Sequence, residues 1–264
     1  CNFGGWGGSE VVGFKNMDEL RSIMDIIMLR RLKTEVLDLP EKIEKIEYVD
    51  MTPKQSKIYD EVYNGVMSEI NKIKFSDNPL AMMIRLRQAT GWTGIVSNVV
   101  QESAKMQRME ELVEEIAESG QKAIVFSNWE EITTIAKEKL KRFNPAYITG
   151  KKKSNERMTD VERFQNDPSC KVIIGTLGAM GTGLTLTAAQ NVIFLDEPWT
   201  RAVRDQAEDR AHRIGTKGTV NVTFLCCKNT IDERIHTIVE RKGQVSDAII
   251  DGKITVDDIN FLLS

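Results

Sequence analysis

The sequence has few of the features that mark a membrane-bound or secreted protein. No apolar run in its 264 residues approaches the roughly 20 residues that a membrane span needs. The first ten residues, CNFGGWGGSE, lack the basic and apolar regions of a signal peptide. They also lack an initiator methionine, which favours a chain that begins inside a longer protein. We therefore expect a globular protein with no membrane partner.

Cysteine and histidine are scarce, with four and two residues respectively. No two cysteines have the C-x-x-C spacing that is typical of zinc and redox sites; the four are Cys1, Cys170, Cys226 and Cys227. Buried reduced thiols are the expected state, which favours a reducing cytoplasm, nucleoid-associated or nuclear according to the host. His212 and His236 have no metal-ligand set near them, so we predict no metal site.

A phosphate-binding loop of the pattern G-x-x-x-x-G-K-[ST] is also missing from the chain. The stretch GTLGAMGTGL, residues 175–184, holds four glycines but no lysine. A dinucleotide-binding loop needs G-x-G-x-x-G with an acidic residue about 20 positions further on. Asp196 stands near that distance, but the glycine order is wrong. On these residues alone, the stretch is as consistent with a tight turn beside a sheet as with phosphate contact.

The charge balance does not indicate a compact basic nucleic-acid-binding domain. The formal net charge is −3 and the isoelectric point is about 5.7. Cations are nevertheless concentrated in GKKK, residues 150–153, and across residues 201–217. Solvated turns and helices often carry such charges, so a local basic groove is only one interpretation.

The pattern of apolar residues predicts helices in the first part of the chain. Helical spacing covers Asp18 to about Leu37, Pro53 to about Ile73, 80–90 and 104–119, whereas 42–51 alternates like an extended segment. Thr52 and Gln55 fit a capping box, with Pro53 at the first helical position. Ser127 and Glu130 fit a second capping box at the start of a later helix.

Beyond Gly120, short β-branched runs alternate with polar helical segments. The predicted strands are 122–127, 146–149, 171–176, 191–196 and 219–226, with helices at 129–143, 154–166 and 200–213. This alternation predicts an α/β fold with a mostly parallel sheet, in which ligands lie beyond the carboxyl ends of the strands. We divide the chain into 1–50, 51–120, 121–227 and a helical end, 228–264.

One helical face carries a candidate for phosphoryl chemistry. Gln206, Arg210 and Arg213 are spaced at i, i+4 and i+7, which places them on one side of a helix. Two fixed guanidiniums suit charge stabilisation on a transferring phosphoryl group. A salt-bridged surface helix is the alternative, because three carboxylates lie within reach: Asp205, Glu208 and Asp209.

Taken together, the ordered motifs resemble the second RecA-like lobe of Swi/Snf-type helicase-like ATPases of helicase superfamily two. KAIVFSNW resembles motif IV, GTLGAMGTGLTLTAA motif V, and VIFLDEPWTRAVRDQAEDRAHRIGTKGTV its continuation into motif VI. LRQATG is similar to the short helix before the second lobe, and LRRLKTEVLDLPEKIEKIEYVDMTPKQSKIYDEV to the passage between lobes. The closing stretch TIDERIHTIVERKGQVSDAIIDG resembles the family's last helices.

The resemblance implies a RecA-like parallel sheet flanked by helices, in one half of an ATPase that translocates on double-stranded DNA. ATP with Mg²⁺ would be held mainly by an N-terminal RecA-like lobe of the same polypeptide, which carries the Walker A lysine and the acidic motif. Arg213 matches the arginine finger, and Arg210 and Gln206 match its companions. Gly181 and Gly183 match the glycines on the nucleotide side.

The same resemblance assigns residues to the DNA side, all of them at strand ends: Ser127, Asn128, Gly150, Lys151, Thr176 and Trp199. From position alone, Trp199 is also explained by packing on the core. The chain departs from the family pattern at four points: Gly175 replaces a common serine, Gly178 a lysine or arginine, Met180 a glycine and Thr200 an asparagine.

Two other functions fit parts of the sequence. A Rossmann-type methyltransferase or dehydrogenase would use the glycine-rich stretch for a nucleoside cofactor, although the glycines are misplaced for it. A stand-alone DNA-binding or scaffolding lobe would have the same motifs without ATPase activity. Because the Walker A and DExH motifs are absent from the chain, we expect it to hydrolyse ATP poorly by itself.

Overall fold

A computed structural model of the chain describes residues 2–4, 8–10, 16, 19, 22–23, 26, 37–72, 79–180 and 183–246. The chain divides into two compact units, Cys1–Asp38 and Leu39–Ser264. In the first unit, strands β1 (Asn2–Gly4) and β2 (Gly8–Glu10) pair antiparallel. Most of the helix predicted from Asp18 and the predicted end beyond residue 246 lie outside the described residues.

Six parallel strands form the sheet of the second unit: β3 (Lys42–Val49), β4 (Ala123–Ser127), β5 (Ala146–Ile148), β6 (Val172–Thr176), β7 (Asn191–Phe194) and β8 (Val220–Cys227). Their order across the sheet is β3-β8-β7-β4-β6-β5. Each of the five strands predicted after Gly120 is present, which confirms the α/β fold. The extended segment predicted over 42–51 forms the edge strand β3.

Eight helices accompany the sheet in the described residues: α1 (Pro53–Lys72), α2 (Pro79–Gly91), α3 (Ala104–Glu118), α4 (Glu130–Lys139), α5 (Ser154–Asn166), α6 (Leu177–Met180), α7 (Arg201–Glu208) and α8 (Ile231–Ser246). The short helix α6 follows β6 directly and was not expected from the pattern. Helix α7 ends at Glu208, five residues before the predicted end.

Apolar side chains cover both faces of the sheet, as continuous apolar strands require. One face packs on α5, α6 and α7, and its centre is a stack of three rings on neighbouring strands. Phe126 lies 5.3 Å from Phe194, and Phe194 lies 4.8 Å from Phe224, between ring centroids. The other face packs on α3 and α4 through buried residues such as Met109 and Ile132. The sheet is therefore a rigid platform for the loops at its carboxyl edge.

Capping explains where some helices begin. The hydroxyl of Thr52 accepts the main-chain N–H of Gln55 at 3.1 Å, so Thr52 caps α1 as predicted. The side chain of Gln55 does not complete the box, because it binds the main chain of α2 and α3 instead. The second predicted box is wrong: Ser127 Oγ accepts from Trp129 N at 3.1 Å and donates to Asp196, since Ser127 is a buried strand residue.

Two departures from the family pattern, Gly175 and Met180, depend on each other in space. A Cβ at Gly175 would lie closer than 3.0 Å to the side chain of Met180 and to the main-chain oxygen of Ile148 on β5. Met180 is fully buried on the α5 side of the sheet. The methionine therefore fills the volume that a serine side chain would need, and residue 175 must be glycine.

We predict that Gly175→Ala lowers the free energy of unfolding by about 1–3 kcal/mol, because overpacking a rigid core forces its neighbours to shift. Gly178→Ala is the matched control three residues on. A Cβ there meets nothing within 4 Å, and alanine in helix α6 should be neutral or slightly stabilising. Urea unfolding of both variants measures the difference. Equal midpoints would contradict the packing account.

Candidate functional site

In the described part of the glycine-rich stretch, strand β6 leads directly into helix α6, and the chain bends again at Gly183, where we call the segment the glycine turn. Thr176 ends β6 and its hydroxyl accepts from Ala179 N at 3.4 Å at the start of α6. Gly183 is exposed and has φ +72°, a left-handed conformation that glycine adopts at no steric cost. Gly181, the other glycine assigned to the nucleotide, lies outside the described residues.

Two arginines lie against the loop that follows Gly183. Arg213 donates from Nη1 to Thr185 Oγ at 3.0 Å, and Arg210 donates from Nη1 to the Leu184 oxygen at 3.4 Å. The main chains join as well, since Leu186 N donates to the Arg210 oxygen at 2.9 Å. Burial and then the positive charge of Arg213 lower the pKa of Arg210. The structure thus brings two guanidiniums together beside the glycine turn.

The single helical face predicted for this cluster is wrong in its geometry. Because α7 ends at Glu208, only Gln206 belongs to the helix, where it is exposed, while Arg210 and Arg213 lie in the turns that follow. The turns place both arginines on the loop, so proximity is achieved without the helix. Arg210 remains tied to Gln206 through its Nε, which donates to the Gln206 oxygen at 3.1 Å.

Two of the three neighbouring carboxylates pair with arginines of α7, whereas the charge of the third, Asp209, opposes the lowering of the pKa of Arg210. Asp205 pairs with Arg201 at 3.0 Å, and Glu208 pairs with Arg204 at 3.1 Å. The salt bridges of α7 therefore centre on its buried side, around Arg204. Arg204 also pairs with Glu44 of β3, with Glu197 after β7 and with Glu240 of α8.

This charge network fixes the arginine-bearing segment to the edge strand. Lys42 pairs with Glu208; burial lowers the pKa of Lys42, but the charge of that carboxylate opposes burial and leaves the pKa raised. Burial raises the pKa of Glu44, but Lys42, Arg204 and Arg201 outweigh burial and leave the pKa lowered. His212, between the two site arginines, bonds through Nε2 to the Pro40 oxygen at 2.7 Å. Both histidines thus have protein partners, since His236 Nδ1 lies 3.3 Å from Glu197.

The residues assigned to the DNA side lie at neighbouring strand ends. Asn128 donates its main-chain N–H to Asp196 at 2.9 Å and its side-chain amide to the Glu197 oxygen at 3.2 Å. Ser127 is fully buried and binds the same carboxylate, so its side chain supports the loop and is not on the surface. Burial raises the pKa of Asp196. Trp199 is half-buried, packs on a helical cluster of α1, α2 and α8, and stacks on Arg87.

The loop after β5 has an exposed surface. Gly150 is exposed and its main-chain oxygen accepts from Arg157 Nη2 at 2.9 Å. The side chain of Lys151 is 82% exposed and pairs with Glu130 at 3.0 Å. Both residues are accessible to a ligand, and their assignment to DNA stays a prediction.

Several residues that organise the site were not identified from the sequence. Arg87 stood in the LRQATG stretch, and Asp196 was noted only for its distance from the glycines. Thr200, a departure from the family's asparagine, caps α7 by accepting from Val203 N at 3.3 Å. Asparagine and threonine both serve as helix caps, which gives a physical reason for the exchange.

Neither a metal cluster nor a membrane-spanning segment is found in the part of the chain that the structure describes. No three histidine, cysteine, aspartate or glutamate side chains there are grouped to hold a metal ion. None of the helices there is both long and apolar enough to cross a bilayer. Buried free thiols were predicted, and Cys170, Cys226 and Cys227 are buried and free.

Thr216 closes the turn that carries Arg213, accepting from Arg213 N at 3.3 Å and donating to the Ala211 oxygen. We predict that Thr216→Val lowers the free energy of unfolding by about 1–3 kcal/mol, because polar groups of the turn lose their partner. Thr216→Ser should retain the wild-type value, and exposed Thr219→Val should stay within about 0.5 kcal/mol. Thermal unfolding distinguishes the three, and a neutral Thr216→Val would show that the hydroxyl does not hold the turn.

Two protein-family models match successive parts of the chain. The helicase conserved C-terminal domain matches residues 104–215, and the SNF2-related domain matches residues 10–92. An uncharacterized ATP-dependent helicase of Mycoplasma pneumoniae is 35% identical over 242 residues, 90% of this chain and 23% of that protein. A DNA annealing helicase and endonuclease of Mus musculus is 31% identical over 247 residues, 91% of this chain and 22% of that protein. The chain thus spans about a quarter of these relatives.

Solved structures give the same assignment. The Sulfolobus solfataricus SWI2/SNF2 ATPase C-terminal domain matches 85% of this chain and 95% of its own, with 26% identity and a TM-score of 0.67. The ATPase core from the same organism, solved in complex with double-stranded DNA, matches 93% of this chain and 55% of its own, with 28% identity and a TM-score of 0.70. This chain belongs to the SNF2-related family of helicase-like ATPases and has the fold of their C-terminal RecA-like domain.

Proposed function

We propose that this chain is the arginine-bearing second lobe of a DNA-dependent ATPase that translocates along double-stranded DNA. The observation that carries the proposal is the pair of guanidiniums, Arg210 and Arg213, set against the turn of Gly183 at the carboxyl edge of a RecA-like sheet. The family relatives named as ATP-dependent helicases support nucleotide use. The solved core bound to double-stranded DNA supports the choice of partner.

The residues present fit the triphosphate of ATP as a substrate. In the part of the chain that the structure describes, the Arg213 side chain has one bond, to Thr185, and a phosphate oxygen can replace that hydroxyl as its partner. As water attacks the γ-phosphorus and the bond to the β-phosphate oxygen breaks, the guanidiniums would stabilise charge on the transferring group. Gln206 is exposed beside them and would position the nucleotide. Mg²⁺ and the Walker A lysine would come from the N-terminal lobe.

Closure of two lobes on ATP would assemble the site and move the DNA-side loops together. The loops after β4, β5, β6 and β7 would present their main-chain groups to the sugar-phosphate backbone of DNA, together with the side chains of Asn128, Lys151 and Thr176. Contacts of this kind fix register on the duplex without reading its bases. Translocation would follow as the contacts are remade one step along the DNA. By itself the chain would lack half the site and would hydrolyse ATP poorly.

The two alternatives differ in their support. A Rossmann-type cofactor enzyme is not supported, because the family and the fold are those of SNF2-related ATPases. A stand-alone DNA-binding or scaffolding lobe has the same fold and the same DNA-side residues, and it differs only in lacking turnover. Activity of the natural polypeptide that contains this chain separates the two.

We expect Arg213→Ala in the full natural polypeptide to reduce ATP turnover on the order of 10³-fold, as loss of an arginine finger does. Steady-state hydrolysis at saturating duplex DNA and ATP measures the effect. Arg142→Ala is the control, since Arg142 is exposed and pairs with Glu114 away from the glycine turn. Turnover of Arg213→Ala equal to that of the control would remove the finger assignment.

Gly178 stands where the family pattern commonly has a lysine or arginine. Its position in α6 is exposed, and an added Cβ would meet nothing within 4 Å. We expect Gly178→Lys to tighten duplex binding and to steepen the salt dependence of log K by about 0.9, the slope of one added phosphate contact. Gly65→Lys adds the same charge on the exposed side of α1. Fluorescence anisotropy against salt measures both. An unchanged slope for Gly178→Lys would place α6 away from the DNA.

A further inference from the structure

The most unusual buried group in the described residues is the guanidinium of Arg87, on helix α2. The residue is 1% exposed, yet Nε and Nη1 have no hydrogen-bond partner. Only Nη2 is bonded, to the main-chain oxygen of Glu197, and it lies 3.8 Å from the carboxylate of Asp196. A buried donor without a partner is costly, so a group like this requires a compensating role.

Two tryptophans provide the compensation. The guanidinium carbon lies 4.9 Å from the ring centroid of Trp129 and 4.2 Å from that of Trp199. A planar cation over an indole face is a favourable contact, and it strengthens when the cation is desolvated. Burial lowers the pKa of Arg87, whereas the nearby carboxylates oppose that change. Arg87 is thus a buried cation that contacts both indoles.

The contacts of Arg87 converge on the loops assigned to DNA. Trp129 follows Asn128 at the end of β4, and Trp199 belongs to the loop after β7. Asp196, its charge partner, holds Ser127 and Asn128. One side chain of helix α2, 36 residues before Ala123 at the start of β4, therefore contacts both loops.

We propose that Arg87 is a positioning residue that sets the loops 127–129 and 196–199 in the arrangement that engages duplex DNA. The inference rests on the proposed DNA-dependent function. Stability alone does not call for an arginine here, because α2 is already joined to α3 and α8 by Thr90, Lys105 and Asp232. In that second cluster Lys105 Nζ lies 2.8 Å from Asp232, and the Thr90 hydroxyl donates to the same carboxylate at 3.0 Å.

The test compares Arg87→Met and Arg87→Lys with Arg85→Met, an exposed arginine two residues earlier on the same helix. Lysine keeps the charge but loses the planar stacking and the fixed fork of donors. In the full natural polypeptide we expect both Arg87 variants to raise the DNA concentration for half-maximal ATPase stimulation about tenfold or more. The ATP KM and the DNA-free rate should be unchanged, a division that a general loss of folding would not produce.

A second readout follows the loops without DNA or ATP. In this chain labelled with 5-fluorotryptophan, fluorine NMR should show shifted Trp129 and Trp199 resonances in both Arg87 variants. Trp92, which packs on the α3–α4 side of the sheet, should not shift. Arg85→Met should leave all these resonances in place.

The outcomes separate the inference from the function on which it rests. A wild-type polypeptide without DNA-stimulated hydrolysis would remove the proposed function, and with it the inference, whatever the resonances show. A wild-type protein that responds to DNA, with an Arg87→Met variant of unchanged half-stimulation, would overturn the positioning role alone. Wild-type behaviour of Arg87→Lys would show that charge suffices and would overturn the role of stacking.

Discussion

The buried carboxylate of Asp196 is the contact on which the arrangement of the carboxyl edge depends. It lies two residues after the central strand β7, is 1% exposed, and accepts hydrogen bonds from Ser127 and from both amide groups of Asn128. Removing a carboxylate from water is costly unless it is paired and hydrogen-bonded. The loops after β4 and β7 therefore have little freedom to separate, since separating them would remove the hydrogen bonds that Ser127 and Asn128 donate to this carboxylate.

A second set of charges performs the same task for the arginine-bearing turns. Arg204 is 3% exposed at its side chain and contacts carboxylates from β3, from the loop after β7 and from α8, while stacking on Phe224. The turns after α7 are thereby fixed to the sheet, and Pro40 is bonded to His212 between the two site arginines. Thr176 ends β6 at the edge that carries the loops of Asn128 and Trp199, and eight residues later the Leu184 oxygen accepts from Arg210. In a two-lobed motor, such continuity would link nucleotide contact to DNA contact.

The sequence was informative where local chemistry decides the structure. Strand β6 and helix α5 were predicted at their observed places, because β-branched runs and helical spacing are local signals. The helical face of Gln206, Arg210 and Arg213 failed since the turns after Glu208 are set by contacts with the loop 184–186, which spacing cannot reveal. Ser127 was taken for a helix cap because its bond to Asp196 crosses 69 residues.

Contacts between residues distant in sequence also explain the roles of Arg87, Gly175 and Met180, which no motif indicated. Arg87 reaches Glu197 across 110 residues of chain, and its tryptophan partners stand in two different motifs. Gly175 and Met180 each look like isolated departures from a pattern, and only the structure shows that one side chain occupies the space of the other. The resemblance to a family identified the candidate arginines. The salt bridges and hydrogen bonds that hold their segment in place join residues that are distant in sequence, and no motif indicated them.

ATP hydrolysis with and without duplex DNA, measured on this chain and on the full natural polypeptide that contains it, tests the central claim most directly. The account predicts that the chain alone is nearly inactive, and that the full polypeptide hydrolyses ATP and is stimulated by DNA. Failure of both to hydrolyse ATP would contradict the catalytic role and would leave a DNA-binding or scaffolding lobe. Full activity of the chain alone would contradict the assignment of half the site to a first lobe.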